Sequence, residues 1–223
     1  MLGNHGRSIT KAIFTPLARV LARAGVTPNM VTVAGTVATV AIALICIPQG
    51  WIWQGGIALA IVMFGDSVDG TLARMTTGGT RFGAFLDSTL DRLGDGAVFG
   101  SLTAYAVFQM DNSFVRTWAI IAGICSIVGA AAVPYARARA ESVGVVAKLG
   151  IAERTDRLII GMGTAMLMSF GLPEWVFAAG LTWVAFASFV TVCQRIWFTA
   201  RHIDEGTCLL YTSPSPRDLS TSR

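Results

Sequence analysis

Five acidic residues, Asp66, Asp69, Asp87, Asp91 and Asp95, fall inside the ends of two apolar stretches of a 223-residue chain. An ionised side chain at mid-membrane depth costs about 2.5–3.5 kcal/mol on insertion scales, so carboxylates in such a place call for a compensating charge and a water-filled cavity. Asp66 and Asp69 are three apart and Asp87 and Asp91 four apart, so each pair projects from one face of a helix. If Arg74 to Phe82 is a short turn, the two helices run antiparallel and the pairs face each other at one depth. Four converging carboxylates make an oxygen-rich site suited to hard divalent cations such as Mg²⁺ or Mn²⁺. Two such ions at close range can hold both the attacking and the leaving oxygen of a phosphoryl displacement. Few basic residues lie nearby in sequence to pair these acids structurally; Asp95, one turn beyond Asp91, is a candidate ion-pair partner for Arg92.

The full run reads Asp66-x2-Asp69-Gly70-x2-Ala73-Arg74-x8-Gly83-x3-Asp87-x3-Asp91. With each residue type near about 5% frequency, eight fixed positions in about 200 registers match by chance in roughly one sequence in 10⁸. Gly70 and Gly83 remove side chains where a nucleotide phosphate or a partner helix must come close, and Arg74 offers a fork to a diphosphate. This run resembles the signature of the CDP-alcohol phosphatidyltransferase family at all eight positions. The resemblance implies that Asp66, Asp69, Asp87 and Asp91 bind two divalent ions, Mg²⁺ or Mn²⁺. It also implies that Asp91 is the base that takes the proton from an acceptor hydroxyl attacking the β-phosphorus of a CDP-linked lipid, with CMP as leaving group. Nucleotide-lipid contacts would come from Asn29, Met30, Val31, Thr32, Gly70, Arg74 and Thr80. Read without the resemblance, Asn29 and Thr32 are no more than a helix cap.

The signature leaves the acceptor open, and basic residues elsewhere bear on it. Arg137 and Arg139 end the fourth apolar stretch, Arg154 and Arg157 begin the fifth, and Arg195 lies near the end of the sixth. Guanidinium groups bind phosphate through bidentate hydrogen bonds, which points to an anionic acceptor. The plainer alternative is flanking charge, with Arg137 and Glu141 an i,i+4 pair. The stretches Tyr135 to Glu141 and Ile151 to Leu158 are similar to actinobacterial phosphatidylinositol phosphate synthases. By that resemblance Arg137, Arg154 and Arg195, with Arg157 in support, hold inositol 1-phosphate, the donor is CDP-diacylglycerol, and the enzyme is a homodimer. Within the same family glycerol 3-phosphate is the rival acceptor, giving phosphatidylglycerophosphate. A cation transporter would also carry intramembrane carboxylates, but the repeat-related broken helices expected of one are not visible.

The elements that must position these groups follow from composition. The chain is 53% hydrophobic and only 13% charged, against about a quarter charged in soluble domains, which excludes a purely soluble or disordered protein. Apolar stretches at about 30–48, 52–73, 83–109, 117–136, 156–172 and 174–198 read as six membrane-spanning helices. The turns at Pro48 to Gly50, Asp111-Asn112 and Gly171 to Pro173 hold one basic residue, Arg116, whereas the N-terminal segment and the opposite turns are rich in Arg and Lys. Basic residues collect on the cytoplasmic side. The expectation is a multi-pass protein of the cell membrane with both termini and the acidic site cytoplasmic, surrounded by membrane lipids and without a nucleic-acid partner.

Ahead of the first span, residues 7–24 place Ile9, Ile13, Leu17 and Leu21 on one helical arc and Arg7, Lys11, Arg19 and Arg23 on the other. That pattern suits an interfacial amphipathic helix, or a soluble one packed on the protein, with Pro16 bending it. The expected fold class is thus all-α integral membrane protein, with residues 1–28 an interfacial segment, 29–203 the six-helix catalytic domain and 204–223 a non-structural tail. Gly206 to Arg223 breaks composition abruptly and reads as a non-native scar. No secretory signal peptide is expected. Cys46, Cys125, Cys193 and Cys208 are scattered without zinc-ligand spacing.

Overall fold

The computed structural model describes residues 19, 20, 22, 23, 25–76, 80–151 and 153–203, without the side chains of residues 64 and 66–76. Every regular element among them is an α-helix, and the long ones are six: α1 (Pro28–Cys46), α2 (Ile52–Thr76), α3 (Arg81–Gln109), α4 (Phe114–Ser142), α5 (Arg154–Ser169) and α6 (Glu174–His202). Each coincides with one of the six apolar stretches. The N-terminal amphipathic stretch and the tail from 204 onward lie outside the described residues, apart from four helical positions between 19 and 23.

Helix starts follow local chemistry. Thr27 caps α1, its Oγ1 accepting from Met30 N at 3.4 Å, with Pro28 at the first helical position where its missing N–H costs nothing. Gly25, at φ +75, makes the left-handed turn into it. The cap is Thr27, so Asn29 lies in the first turn and Thr32 in the second, neither of them at the cap. Thr80 caps α3, accepting from Gly83 N at 2.9 Å. Glu153 and Asp156 form a reciprocal capping box at the start of α5. Helix α2 runs to Thr76 and α3 starts at Arg81, so both helices reach into the Arg74–Phe82 stretch expected as a turn. Helix α4 runs six residues past the expected end at 136, through Pro134, carrying Arg137 and Arg139 on helix instead of loop.

Small residues set the packing. α4 packs against both α3 and α6, α1 against α2 and α3, and α5 chiefly against α6. The α4–α6 seam is closed by Ala119, Ala122, Ala130, Ala178 and Ala187, all buried. Ser126 Oγ, buried there, donates across the seam to Leu181 O at 2.9 Å, and Trp118 Nε1 donates to Thr182 Oγ1 at 2.8 Å. Small and hydroxyl side chains thus line this seam, while Val37, Ile61, Phe108, Phe114, Val128 and Phe189 stand more than 60% exposed. This is the arrangement of helices packed in lipid, where apolar surface faces the solvent and close backbone approach drives association. α1, α4 and α6 each combine sufficient length with a mean hydropathy of 2.0 to cross a membrane. α5, at 16 residues, spans only about 24 Å. The chain is a membrane protein.

The seam gives a direct stability test. A Cβ on Gly129 would lie 2.6 Å from Ser188 Cβ, whereas one on Gly100 would meet nothing within 4 Å. Gly129→Ala is expected to lower stability by about 1–3 kcal/mol through overpacking. Gly100→Ala is expected to raise it by roughly 0.5–1 kcal/mol through reduced chain entropy. Thermal unfolding of both variants in one detergent checks the opposed signs.

Candidate active site

The acidic signature spans two helices that are neighbours in sequence, α2 and α3. Asp66, Asp69, Gly70 and Arg74 lie in the last three turns of α2, and their side chains are outside the described residues. Asp87 and Asp91 lie one turn apart in the first half of α3, Asp87 exposed and Asp91 half-buried. Asp95, one turn deeper again, is 1% exposed.

The structure corrects the expectation that too few bases stand near these acids. Arg154, the first residue of α5, reaches both: its Nη1 lies 2.7 Å from Asp91 Oδ1 and its Nε donates to Asp95 Oδ1 at 2.8 Å. Arg157, one turn into α5 and 2% exposed, places Nη2 4.0 Å from Asp95 Oδ2. Arg92 turns to Asp91 Oδ2 at 3.3 Å and is not the partner of Asp95. The reason is geometric: Arg92 follows Asp91 directly and bends back to it, while the side chain of Asp95 points to the interior where the start of α5 meets α3. Burying these carboxylates requires compensation, and α5 supplies it across about sixty residues of sequence.

Around the start of α3 a second group assembles. A Cβ on Gly83 would stand 3.1 Å from both Asn29 Oδ1 and Thr80 Oγ1, so glycine there lets the first turns of α1 and α3 meet. This brings together two of the residues expected at the nucleotide, Asn29 and Thr80. Of the others on α1, Met30 is 57% exposed and Thr32 is buried, its Oγ1 donating to Pro28 O at 3.1 Å, with Val31 between them half-buried. Thr80 and Asp91 are eleven residues apart on one helix, about 16 Å.

The arginines of α4 and α6 are engaged differently. Arg137 Nε donates to Glu141 Oε1 at 2.9 Å, the i,i+4 pair weighed from sequence. Arg195 donates from Nε to Leu149 O at 3.0 Å and from Nη1 to Val133 O, tying the segment after α4 to α6. The structure thus brings Asp91, Asp95, Arg154 and Arg157 into one network, while these partners of Arg137 and Arg195 lie outside it. A cavity of about 260 Å³ opens beside Asp91, Asp95 and Arg154 and continues between α1, α2, α3 and α5, past Thr36, Thr39, Leu59, Met63 and Met162. Thr36, Thr39 and Gly94 were not foreseen; their only sequence signal is the face they share on α1 or with Asp91 on α3.

Among the described residues no three candidate ligands cluster closely enough to hold a metal. The donor chemistry nonetheless fits divalent cations. Asp87 and Asp91 are hard oxygen donors on one helix face, and Asp95 Oδ2 is a buried oxygen that accepts no hydrogen bond. Asp66 and Asp69, the remaining two of the four carboxylates, lie towards the end of α2.

Comparison with known sequences decides the family. The CDP-alcohol phosphatidyltransferase profile matches residues 25–193. This chain is a member of that family. The phosphatidylinositol phosphate synthase of Mycolicibacterium smegmatis is 42% identical over 184 residues, covering 81% of each chain. That of Cutibacterium acnes is 40% identical over 201 residues, covering 86% of this chain and 94% of the other. Among solved structures, Mycobacterium tuberculosis phosphatidylinositol phosphate synthase with CDP-DAG bound superposes with a TM-score of 0.78 at 39% identity, over 84% of this chain and 94% of that one. The same enzyme has been crystallised with manganese and citrate, again at a TM-score of 0.78.

Proposed function

We infer that this membrane transferase moves a phosphatidyl group from CDP-diacylglycerol to inositol 1-phosphate, giving phosphatidylinositol phosphate and CMP. The observation that carries the choice of acceptor is the 40–42% identity, over more than four-fifths of the chain, to phosphatidylinositol phosphate synthases. The acidic signature carries the reaction class.

Asp91 is the base. It receives the proton of the acceptor hydroxyl as that oxygen bonds to the β-phosphorus and the bond from the β-phosphorus to the CMP oxygen breaks. Arg74 stands as the counter-charge for the CMP leaving group. Asn29, Met30, Val31, Thr32, Gly70 and Thr80 bind the CDP moiety, a role supported for Asn29 and Thr80 by their meeting at Gly83. Arg154, with Arg137, Arg157 and Arg195, binds the acceptor phosphate; Arg154 already lies against Asp91. Asp66, Asp69, Asp87 and Asp91 are the residues that would hold two divalent ions, Mg²⁺ or Mn²⁺. Such ions, when bound, neutralise charge on the transferring phosphoryl oxygens.

All six helices cross the membrane in this reading, with residues 7–24 an interfacial helix before the 29–203 catalytic domain. Both termini and the site are cytoplasmic, a placement supported by the Arg-rich turns on that side. The homodimer implied by the family completes the picture. Chelation tests the reading: EDTA is expected to abolish CMP release from CDP-diacylglycerol and acceptor, and added Mg²⁺ or Mn²⁺ to restore it. Metal uptake into vesicles without CMP formation would favour a transporter instead.

A further inference from the structure

Asp95 lies outside the eight-residue signature, yet it is the most buried of the described acids in this region, at 1% exposure. A buried ion pair adds little net stability over an apolar replacement of the same shape, so stability is a weak account of a carboxylate in that position. Its contacts suggest another. Arg154 holds Asp95 by Nε at 2.8 Å and Asp91 by Nη1 at 2.7 Å, so one guanidinium bridges two carboxylates that sit one turn apart on α3. Arg92 takes the other oxygen of Asp91 at 3.3 Å. Both Asp91 oxygens therefore face guanidinium groups, and a cation that binds this carboxylate must compete with them.

We propose that Asp95 is a positioning residue for Arg154. It grips Nε so that, when Asp91 turns to a cation, the other edge of the guanidinium stays beside the reaction centre and is presented to the acceptor's phosphate. The guanidinium is planar and its donors form a rigid fork, so fixing Nε through a buried carboxylate fixes the direction of the remaining donors. Held only by its flexible stem, the same arginine would lose that preorganisation on every binding event. Arg157, 4.0 Å from Asp95 Oδ2, balances the second oxygen of the anchor and keeps Asp95 turned toward α5. The proposal rests on the reading of an anionic acceptor given above.

The test is a double-mutant cycle on acceptor binding. Inositol 1-phosphate is titrated calorimetrically into the purified full chain in detergent with Mn²⁺ present, for wild type, Asp95→Asn, Arg154→Gln and the double variant. Mn²⁺ occupancy is followed by electron paramagnetic resonance and CDP-diacylglycerol binding is measured alongside. Asp95→Asn is expected to weaken inositol 1-phosphate binding at least tenfold while CDP-diacylglycerol affinity changes less than twofold. The double variant is expected to bind no more weakly than Arg154→Gln alone, since residues that act through one another are not additive. Wild-type acceptor affinity in Asp95→Asn, or losses that multiply in the double variant, would overturn the proposal. Should Asp95→Asn fail to fold, Arg154→Lys serves: it keeps a charge for Asp95 but cannot bridge both carboxylates, and unchanged acceptor affinity in it would equally overturn the proposal. The cycle is run in parallel with glycerol 3-phosphate. Binding of that ligand alone would sink the inositol reading and leave the Asp95 cycle to be decided on it, and binding of neither would sink both.

Discussion

Asp91→Ala is expected to lower the rate of CMP release by at least about 10³-fold, toward the upper end of what a positioned base contributes, with the protein still folded. The fold should survive because Arg154 retains Asp95, which it already holds at 2.8 Å, when its contact to Asp91 is lost. Asp91→Asn makes the comparison stricter, since it keeps the shape and removes the ability to take a proton. Single-turnover CMP release measured on protein with saturating Mn²⁺ separates loss of the base from loss of metal. A rate within tenfold of wild type in either variant would show that the proton goes elsewhere, with Asp87 the next candidate on the same face of α3.

The second large effect concerns Arg195→Ala. This side chain donates to Leu149 O at 3.0 Å and to Val133 O; Val133 O keeps its place in the helical ladder of α4, but truncation deprives Leu149 O of its side-chain donor, at about 1–3 kcal/mol. It also releases the segment between α4 and α5 from α6. That segment leads directly into Glu153 and Arg154, so the loss should reach the acceptor site through Arg154 as well as through any direct phosphate contact. The expected outcome is a lowered unfolding midpoint together with an acceptor KM raised roughly 10- to 100-fold, matching the loss of one or two charge-assisted hydrogen bonds, and a KM for CDP-diacylglycerol near wild type. A fall in midpoint with a normal acceptor KM would make Arg195 a clamp for that segment and remove it from the phosphate pocket.

Much of this was legible in the sequence, for reasons specific to each feature. The six helices were, because each is a long apolar run closed by Gly, Pro or charge, and such runs need little tertiary information. The placement of Asp87 and Asp91 one turn apart on α3 was legible as well, since an i,i+4 spacing projects from one helix face wherever the helix sits. The partners of Asp91 and Asp95 were not. Arg154 and Arg157 are about sixty residues away from them, and nothing local says that the start of α5 meets the first half of α3. Local proximity pointed Asp95 to Arg92 instead, and three residues on a helix proved the wrong guide once Arg92 bent back to its immediate neighbour. The end of α4 was less legible: the apolar run stops near 136, but the helix carries on through Arg137 and Arg139 to Ser142. The meeting of Asn29, Thr80 and Gly83 could be anticipated only by resemblance, because a polar residue beside a helix start reads first as a cap, and the cap here is Thr27.

The central claim is the transfer of a phosphatidyl group to inositol phosphate, and one comparison tests it most directly. Purified protein is given CDP-diacylglycerol and Mg²⁺ with either inositol 1-phosphate or glycerol 3-phosphate, and CMP release is followed as a function of acceptor concentration. The account predicts a higher kcat/KM with inositol 1-phosphate, by at least about tenfold, the factor that roughly 1.4 kcal/mol of better transition-state binding provides. A higher kcat/KM with glycerol 3-phosphate would contradict it.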